Sequence, residues 1–426
     1  MAGISSRIGT FAIGKQSAKG TPATVPTIKL LMNGAPSLAP TKERARLSMT
    51  DAGRDQGKAF TQLVSVGGDV PVYLHPEAIS LLNYLVLGEN ADSGGPTNYQ
   101  HIATPGDDLP WFTAWRMVGN VVHEKFVDCK LNSLQIEGSA GQPLSATLGI
   151  LGCTSELTPF DTALTPIDSD PYLFPDIKGR FKVDTVAQKI HQLSFGIDNG
   201  LSGYQADDYV YDDIDPGGRT VTLSFATRFK GLEAWPNYRE FFYGSKTNEV
   251  QTVTITGSPT GGTFTLSFDG QTTAPIAYNA ASTAVQSALE ALSNLDPGDA
   301  AVSGSAGGPY TVTFQGRYAG FNVPQLVGDG TALTGGTSPS VQVATTAPGT
   351  GNELVGPVAS HAFEFELFKS SVLSVKYELP QVVYTAIPVN PDPGGAPIEV
   401  QVPCEVEKPS GQNIVTATTK DQVASL

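Results

Sequence analysis

The sequence predicts a mainly β protein with a flanking helix and an inserted small α+β block. Three observations carry that expectation. Residues 123–152 read HEKFVDCKLNSLQIEGSAGQPLSATLGILG, with Leu131, Leu134 and Ile136, then Leu144, Ala146, Leu148 and Ile150, at strand period and one phase shift near Asn132. Such a period belongs to strands with one buried face, and Gly138 to Gly141 is a turn signal, so a long antiparallel hairpin is expected. In 426 residues, Gly 46 and Pro 31 suit many short strands and turns. Finally, the composition shifts at 248–349 to Thr, Ser, Gly, Ala, Val and Pro and then shifts back. A one-faced hairpin needs a cover, and the other elements are read as supplying it.

In chain order, residues 1–40 are rich in small and polar residues without a lasting period, so they are expected to be an arm that orders on a neighbour. Residues 43–49 alternate as a strand, and 51–58 (DAGRDQGK) form a loop that makes contacts. Residues 60–74 read as strand with a break at Gly67 and Gly68. Pro76 opens a helix that Gly88 stops, with Ile79, Leu82 and Val86 on one face, broadened by Leu81 and Leu85. Residues 89–108 are expected to be loop. The segment 109–117 (LPWFTAWRM) is a strand whose Trp111 and Trp115 plug a core or an interface. Residues 153–180 are irregular; 181–197 and 219–230 are strand-like, separated by an acidic turn. Residues 235–243 (WPNYREFFY) suit a short helix.

The block 248–349 carries strands at 250–256, 263–269, 273–278, 309–315 and 340–345, and a helix at 282–295 capped by Ser282, with Val285, Ala288, Leu289 and Leu292 on one face. It is large enough to fold alone. Beyond it, strand-like alternation resumes at 363–368, 372–384 and 398–407. The expected division is an arm at 1–40, a discontinuous domain at 41–247 and 350–426, and an outward-facing insertion at 248–349, since a surface loop is where insertion is tolerated.

The formal net charge of −15 argues against a basic nucleic-acid grip. Cys129, Cys153 and Cys404 are few and widely spaced, which fits reduced side chains rather than a disulfide framework or metal knuckle. No signal-peptide pattern and no apolar run long enough for a bilayer are read, so synthesis in a cytoplasm is expected. His75, His101, His123, His191 and His361 stand apart from one another. Phosphate-loop, zinc-protease and nucleophile-elbow motifs are not found. The cluster Asp207, Asp208, Asp212, Asp213 and Asp215 suits a solvated or channel-facing patch better than a cation site. No catalytic, cofactor or metal residue is assigned, and no enzyme activity is expected.

The order of elements resembles the major tail tube proteins of long-tailed bacteriophages, particularly those of actinobacteria. The resemblance rests on DVPVYL followed by the helix PEAISLLNYLVLG, then LPWFTAWRM, then FVDCKLNSLQIEGSAGQPLSATLGILG, and after the insertion LFKSSVLSVKYELPQVVY. It covers roughly 10–247 and 350–420. The inserted NEVQTVTITGSPTGGTFTLSFDGQTTAPIAYNAASTAVQSALEAL resembles a small module of phage tail and surface proteins. The resemblance implies a β-sandwich subunit with one flanking helix, six of which form a ring whose inner sheets close into a barrel around a channel. It also implies stacking through a long loop and terminal arms. The implied partners are further copies of the chain and the tape measure, tail terminator and distal tail proteins, with DNA passing through the channel and residence in the virion.

Elementary physics favours the same arrangement. Ring closure removes free strand edges, and an acidic lining repels duplex DNA. The competing readings are a decoration, adhesin or receptor-binding protein of a virion, a capsid component, and a secreted polysaccharide-binding protein or enzyme. Fibre repeats, a long spine helix and a signal peptide would respectively mark these, and none is read.

Overall fold

The computed structural model describes residues 9–46, 58–95, 98–118, 122–159, 167, 169–232, 234–351, 360–390, 396–423 and 426. Contacts divide the chain into two compact units, Met1–Phe229 with Ser360–Leu426, and Lys230–Ala359. The protein is mainly β. The first unit begins with β1 (Gly9–Lys15), β2 (Ile28–Leu30), β3 (Ala39–Arg46) and β4 (Ala59–Tyr73), then α1 (Pro76–Leu87). It continues through β5 (Gly88–Gly95), β6 (Asn98–Pro105), β7 (Phe112–Val118), β8 (Val122–Ser139), β9 (Ser145–Leu157), β10 (Phe181–Val183) and β11 (Val186–Ala187). β12 (Gln192–Asp198), β13 (Ser202–Tyr204), β14 (Asp213–Asp215) and β15 (Thr220–Arg228) complete its first part. The second unit holds α2 (Tyr238–Tyr243), β16 (Val250–Thr256), β17 (Gly261–Phe268), β18 (Gln271–Thr272), β19 (Ile276–Ala277) and α3 (Ser282–Glu290). Then come β20 (Ala300–Gly304), β21 (Tyr310–Phe314), β22 (Val327–Asp329), β23 (Leu333–Thr334) and β24 (Ser340–Ala347). The chain returns to the first unit with β25 (His361–Ser370), β26 (Leu373–Tyr384), β27 (Glu399–Val406) and β28 (Thr416–Asp421).

The β8–β9 hairpin is the spine of the first unit. Its register runs from Glu124 opposite Leu157 to Glu137 opposite Ser145, with a shift between Leu131 and Ser133. Asn132 is thus the extra residue of a bulge, which is what the phase shift in the sequence encodes. Its side-chain oxygen accepts from the Leu201 amide at 2.7 Å and its carbonyl from the Asn199 amide at 2.8 Å, so the unladdered residue is still satisfied. β9 pairs onward with β4 and β4 with β3. The first half of β8 pairs with β7, and its second half with β12. From β12 the sheet continues through β15, β27 and β26, with β25 on one side of β26 and β28, β6 and β5 on the other.

Helix α1 supplies the cover. Pro76 fits its first turn, where no intrahelical donor is lost, and Gly88 ends it at φ 104° with its amide on the Tyr84 carbonyl. A Cβ on Gly88 would lie 2.4 Å from the Asp108 carbonyl oxygen, so glycine is required twice over. Ile79, Leu82, Leu85 and Val86 are buried, and so is nearly every other residue of the helix. Each large aliphatic side chain so buried contributes about 1.5–3 kcal/mol. Asn199 and Arg219 satisfy the helix end: Asn199 Nδ2 donates to the Val86 carbonyl at 2.9 Å, and Arg219 Nη2 donates to the Leu87 carbonyl at 3.1 Å. Phe195, Phe365 and Tyr377 form a ring cluster with centroids 4.9–5.2 Å apart, and the Tyr377 hydroxyl donates to Asn83 of the helix at 2.8 Å.

Several expectations need correction. Residues 9–15 are a strand of the unit's own sheet, paired to β7 and β2, with Phe11, Ala12 and Ile13 fully buried. Here three consecutive residues are buried between two strands of the chain's own sheet, in place of the expected arm ordering on a neighbour. β4 runs unbroken through Gly67 and Gly68; Gly68, at φ 140°, lets the Leu38 backbone approach where a Cβ would sit 2.7 Å away. Residues 88–105 form the hairpin β5–β6 rather than a loop; its polar, largely exposed β5 carries no apolar alternation. β28 is a further strand, beyond those the sequence predicts. The contact loop expected at 51–58 falls almost wholly outside the described residues.

The second unit, taken alone, builds one core. β20, β21, β16 and β24 form one sheet, and β17 gathers β18, β19, β22 and β23 around it. Phe264, Leu266, Phe268, Val312 and Phe314 pack with Val285, Leu289 and Leu292 in a single buried cluster. Asp269 (φ 45°) and Gly270 (φ 81°) make the two-residue turn between β17 and β18. Ala281, not Ser282, is the N-cap of α3, with no side-chain cap bond, and the helix stops at Glu290. Thr247 and Thr350 exchange backbone hydrogen bonds at 3.1 and 2.9 Å, so the two ends of 248–349 meet. The compact unit reaches further than 248–349 on both sides and includes α2. Among the described residues, no helix is long and apolar enough to cross a membrane.

Candidate functional site

The prominent solvent-facing feature of the first unit is one face of the sheet β4–β9–β8–β12–β15–β27. Because Leu134, Ile136, Leu193, Phe195, Ile197, Val221, Leu223, Val400 and Val402 point into the core, their alternate neighbours must point out. Register then aligns them in rows. One row runs Asp69, Gly149, Ser133, Asp198, Thr220. The next runs Pro71, Thr147, Gln135, Gly196, Thr222, Glu405, and a third Tyr73, Ser145, Glu137, Ser194, Ser224, Pro403. At the end, Arg228 stands opposite Glu399.

This face is small, hydroxylic and acidic. Asp69, Glu137, Asp198, Glu399 and Glu405 sit on it, with Arg228 at the margin. Gln135 lies across Gly196 and donates from Nε2 to Ser194 Oγ at 2.7 Å; a Cβ on Gly196 would come within 2.1 Å of Gln135 Oε1. Glycine at 196 therefore leaves room for the Gln135 amide. Glu399 has a partner in His191 at 3.3 Å, on the edge.

A second solvent face, on β10–β25–β26, is patterned differently. Lys182 pairs with Glu364 and Arg180 with Glu366, while Lys376 and Glu378 are 2.7 Å apart and Lys369 and Asp176 3.6 Å apart. The Arg180 guanidinium also lies 3.7 Å from the Phe368 ring centroid. Each of these acids has a basic partner, so this face is close to neutral.

The residues singled out from the sequence fall as follows. Asp207, Asp208, Asp212, Asp213 and Asp215 lie on or beside the small hairpin β13–β14, mostly exposed. Lys19 Nζ donates to the Asp212 carbonyl and lies 3.7 Å from Asp213, and Lys130 Nζ donates to the Ile214 carbonyl at 3.1 Å. Two lysines thus fasten the acidic hairpin through backbone and side chain. Among the described residues, no three His, Cys, Asp or Glu side chains gather as metal ligands would. Lys130, 3% exposed, also meets Asp108 at 2.7 Å and the Trp111 ring at 4.4 Å. Burial alone would raise the Asp108 pKa, but the Lys130 bond, the Leu109 amide and the Lys130 charge together outweigh it and hold that carboxyl below its ordinary value. Trp115 is buried in the core.

Cys129, Cys153 and Cys404 are free and buried, and burial raises each thiol pKa, that of Cys153 to about 11. His75 begins α1 and is lowered by burial. His361 pairs with Asp184 at 2.6 Å. His123 is buried on β8. His101 is the histidine that gathers acidic partners, Asp92 and Asp421, which no spacing in the sequence connects.

The first unit thus buries one side of its sheet and presents an acidic, hydroxylic surface on the other. The model of the family described as phage tail tube protein matches residues 6–288, well over half of the chain. The chain belongs to that family of structural tail proteins, and is thus a virion component. The match ends inside α3, yet β25–β28 continue the first unit's sheet. The chain is also 41% identical over 104 residues to the Tail sheath protein of Mycobacterium phage Bxz1, a match covering 24% of this chain and 17% of that protein. It therefore spans a small part of that relative's length. A solved structure from Mycobacterium phage Patience is similar over 37% of this chain and 61% of that chain, with 16% identity and a TM-score of 0.17.

Proposed function

We propose that this chain forms the tube of a long-tailed phage, as stacked six-membered rings around a channel through which DNA leaves. The observation that carries the reading is the acidic, hydroxylic face of β4–β9–β8–β12–β15–β27. Turned inward in a ring, it would line the channel. Duplex DNA binds proteins chiefly by releasing counterions to Lys and Arg, so a wall of carboxylates, hydroxyls and glycines gives it nothing to grip. Strand β3, which among the described residues pairs with β4 alone, carries Lys42, Glu43, Arg44 and Arg46, which suits an edge kept from indiscriminate pairing.

In this reading the tape measure, tail terminator and distal tail proteins are the partners along and at the ends of the tube. The protein is made in the host cytoplasm and performs no catalysis. Residues 248–349 stand outside the tube, where many copies would give avidity to weak host-surface or glycan contacts. A decoration or receptor-binding role is the alternative. Negative-stain imaging of the purified, polymerised chain tests the choice. Six-fold rings or hollow tubes support the tube; particles that remain single subunits in the presence of tail initiator complexes reject it.

A further inference from the structure

His101 has more acceptors around it than a neutral imidazole can serve. It lies mid-β6, opposite Asp92 of β5 and Thr419 of β28. The residue is 1% exposed. Its Nδ1 is 2.7 Å from Asp92 Oδ1; its Nε2 is 3.0 Å from Asp421 Oδ1 and 3.1 Å from the Val423 carbonyl oxygen. A neutral ring carries one N–H, so one lone pair would face an oxygen at hydrogen-bond distance; the imidazolium donates on both sides. Asp421 is as buried as the ring. Its Oδ1 also accepts from the Val423 amide at 2.8 Å, while its Oδ2 has no partner. A buried carboxylate so sparsely bonded is tolerable beside a fixed cation and costly without one.

Location gives the contact its consequence. β5 pairs with β6, and β6 with β28, so His101 spans all three strands and the chain just beyond them. We infer that His101 is a proton-held latch: as imidazolium it fastens the β5–β6 hairpin to β28 and to Val423, and loss of its proton releases them. The titratable groups facing it are Asp92 from β5 and Asp421 from β28. From α1 the neighbouring group is Asn83, uncharged and bonded to Thr419 Oγ1 at 3.4 Å, and from β26 it is Tyr377, whose hydroxyl donates to Asn83 at 2.8 Å. Burial raises the Tyr377 pKa further, so it stays a phenol. Burial by itself would lower the pKa of His101, but the two carboxylates outweigh it and the net direction is upward from 6.5. The latch is therefore fully closed below that ordinary value and opens as pH rises through the raised one. The inference does not depend on the tube reading.

Hydrogen exchange of the full chain, read by mass spectrometry across neutrality and corrected for intrinsic exchange, tests it. Protection of 88–105 and 416–423 should fall with one midpoint above 6.5, while β8–β9 does not follow. Asp92→Asn, at a partly exposed position, should move that midpoint down by about one pH unit, because one of the two carboxylates is gone. His101→Gln should abolish the pH dependence. Wild-type protection that does not change with pH, or an unmoved midpoint in Asp92→Asn, would overturn the latch, and the second outcome decides the matter even where His101→Gln fails to fold.

Discussion

The two solvent faces of the first unit's sheet share one core and differ in charge. On β10–β25–β26, acids and bases pair, across strands in Lys182–Glu364 and along one strand in Lys376–Glu378. On β4–β9–β8–β12–β15–β27, carboxylates stand among hydroxyls and glycines with Arg228 at the rim. The paired lattice is what strands adopt when solvation and mild mutual attraction suffice. An acidic surface is self-repelling and gains nothing in stability from its charges. Its pattern is therefore explained by what it faces. In the proposed tube that is a polyanion in transit, for which a wall favours repulsion over local ion pairing.

The largest effect should come from the core that serves both faces. Phe195→Ala removes a ring packed against Phe365 and Tyr377, and denaturant unfolding should show a loss of about 3–5 kcal/mol. Charge reversal separates the faces. Combining Glu137→Lys, Asp198→Lys and Glu405→Lys should create duplex DNA binding where there was none, weakening with salt at a log–log slope of about −0.9 per phosphate engaged. An equal number of added lysines on the β25–β26 face should retain DNA in solution too, but should leave ejection through assembled tails unimpaired. Gly196→Ala should push Gln135 off Ser194 at a loss of about 1 kcal/mol, seen as a small shift in the unfolding midpoint. Smallest is Lys182→Gln in the paired lattice, at about 0.2–1 kcal/mol and less in high salt, since the Lys182–Glu364 pair is partly exposed.

Much of the fold is legible in the sequence because it is local. The β8–β9 hairpin, its bulge at Asn132 and the Pro76-to-Gly88 helix are written in period and punctuation. The core of the second unit is equally readable, through Phe264, Leu266, Phe268, Val285 and Leu289. What escapes is non-local. β1 is short and its partner Phe112–Val118 lies far along the chain; only pairing buries Phe11 and Ile13. β5 carries almost no apolar residue, so no period announces it. The carboxylates of the acidic face stand at 69, 137, 198, 399 and 405, spread over four strands, and register brings those strands side by side. The Asp207–Asp215 cluster stands out in the sequence but contributes nothing to those rows; its hairpin is fastened by Lys19 and Lys130. His101 finds its partner Asp421 320 residues on, a distance no motif spans.

Orientation of the acidic face within the assembled tail is the most direct test. A side-chain-resolution cryo-electron-microscopy map of the tube would locate Glu137, Asp198 and Glu405 relative to the channel axis. The account predicts all three on the channel wall, with the Lys182–Glu364 and Arg180–Glu366 pairs turned away from it. A map that places the paired lattice on the wall, or buries Glu137 and Asp198 against a neighbouring ring, would contradict it.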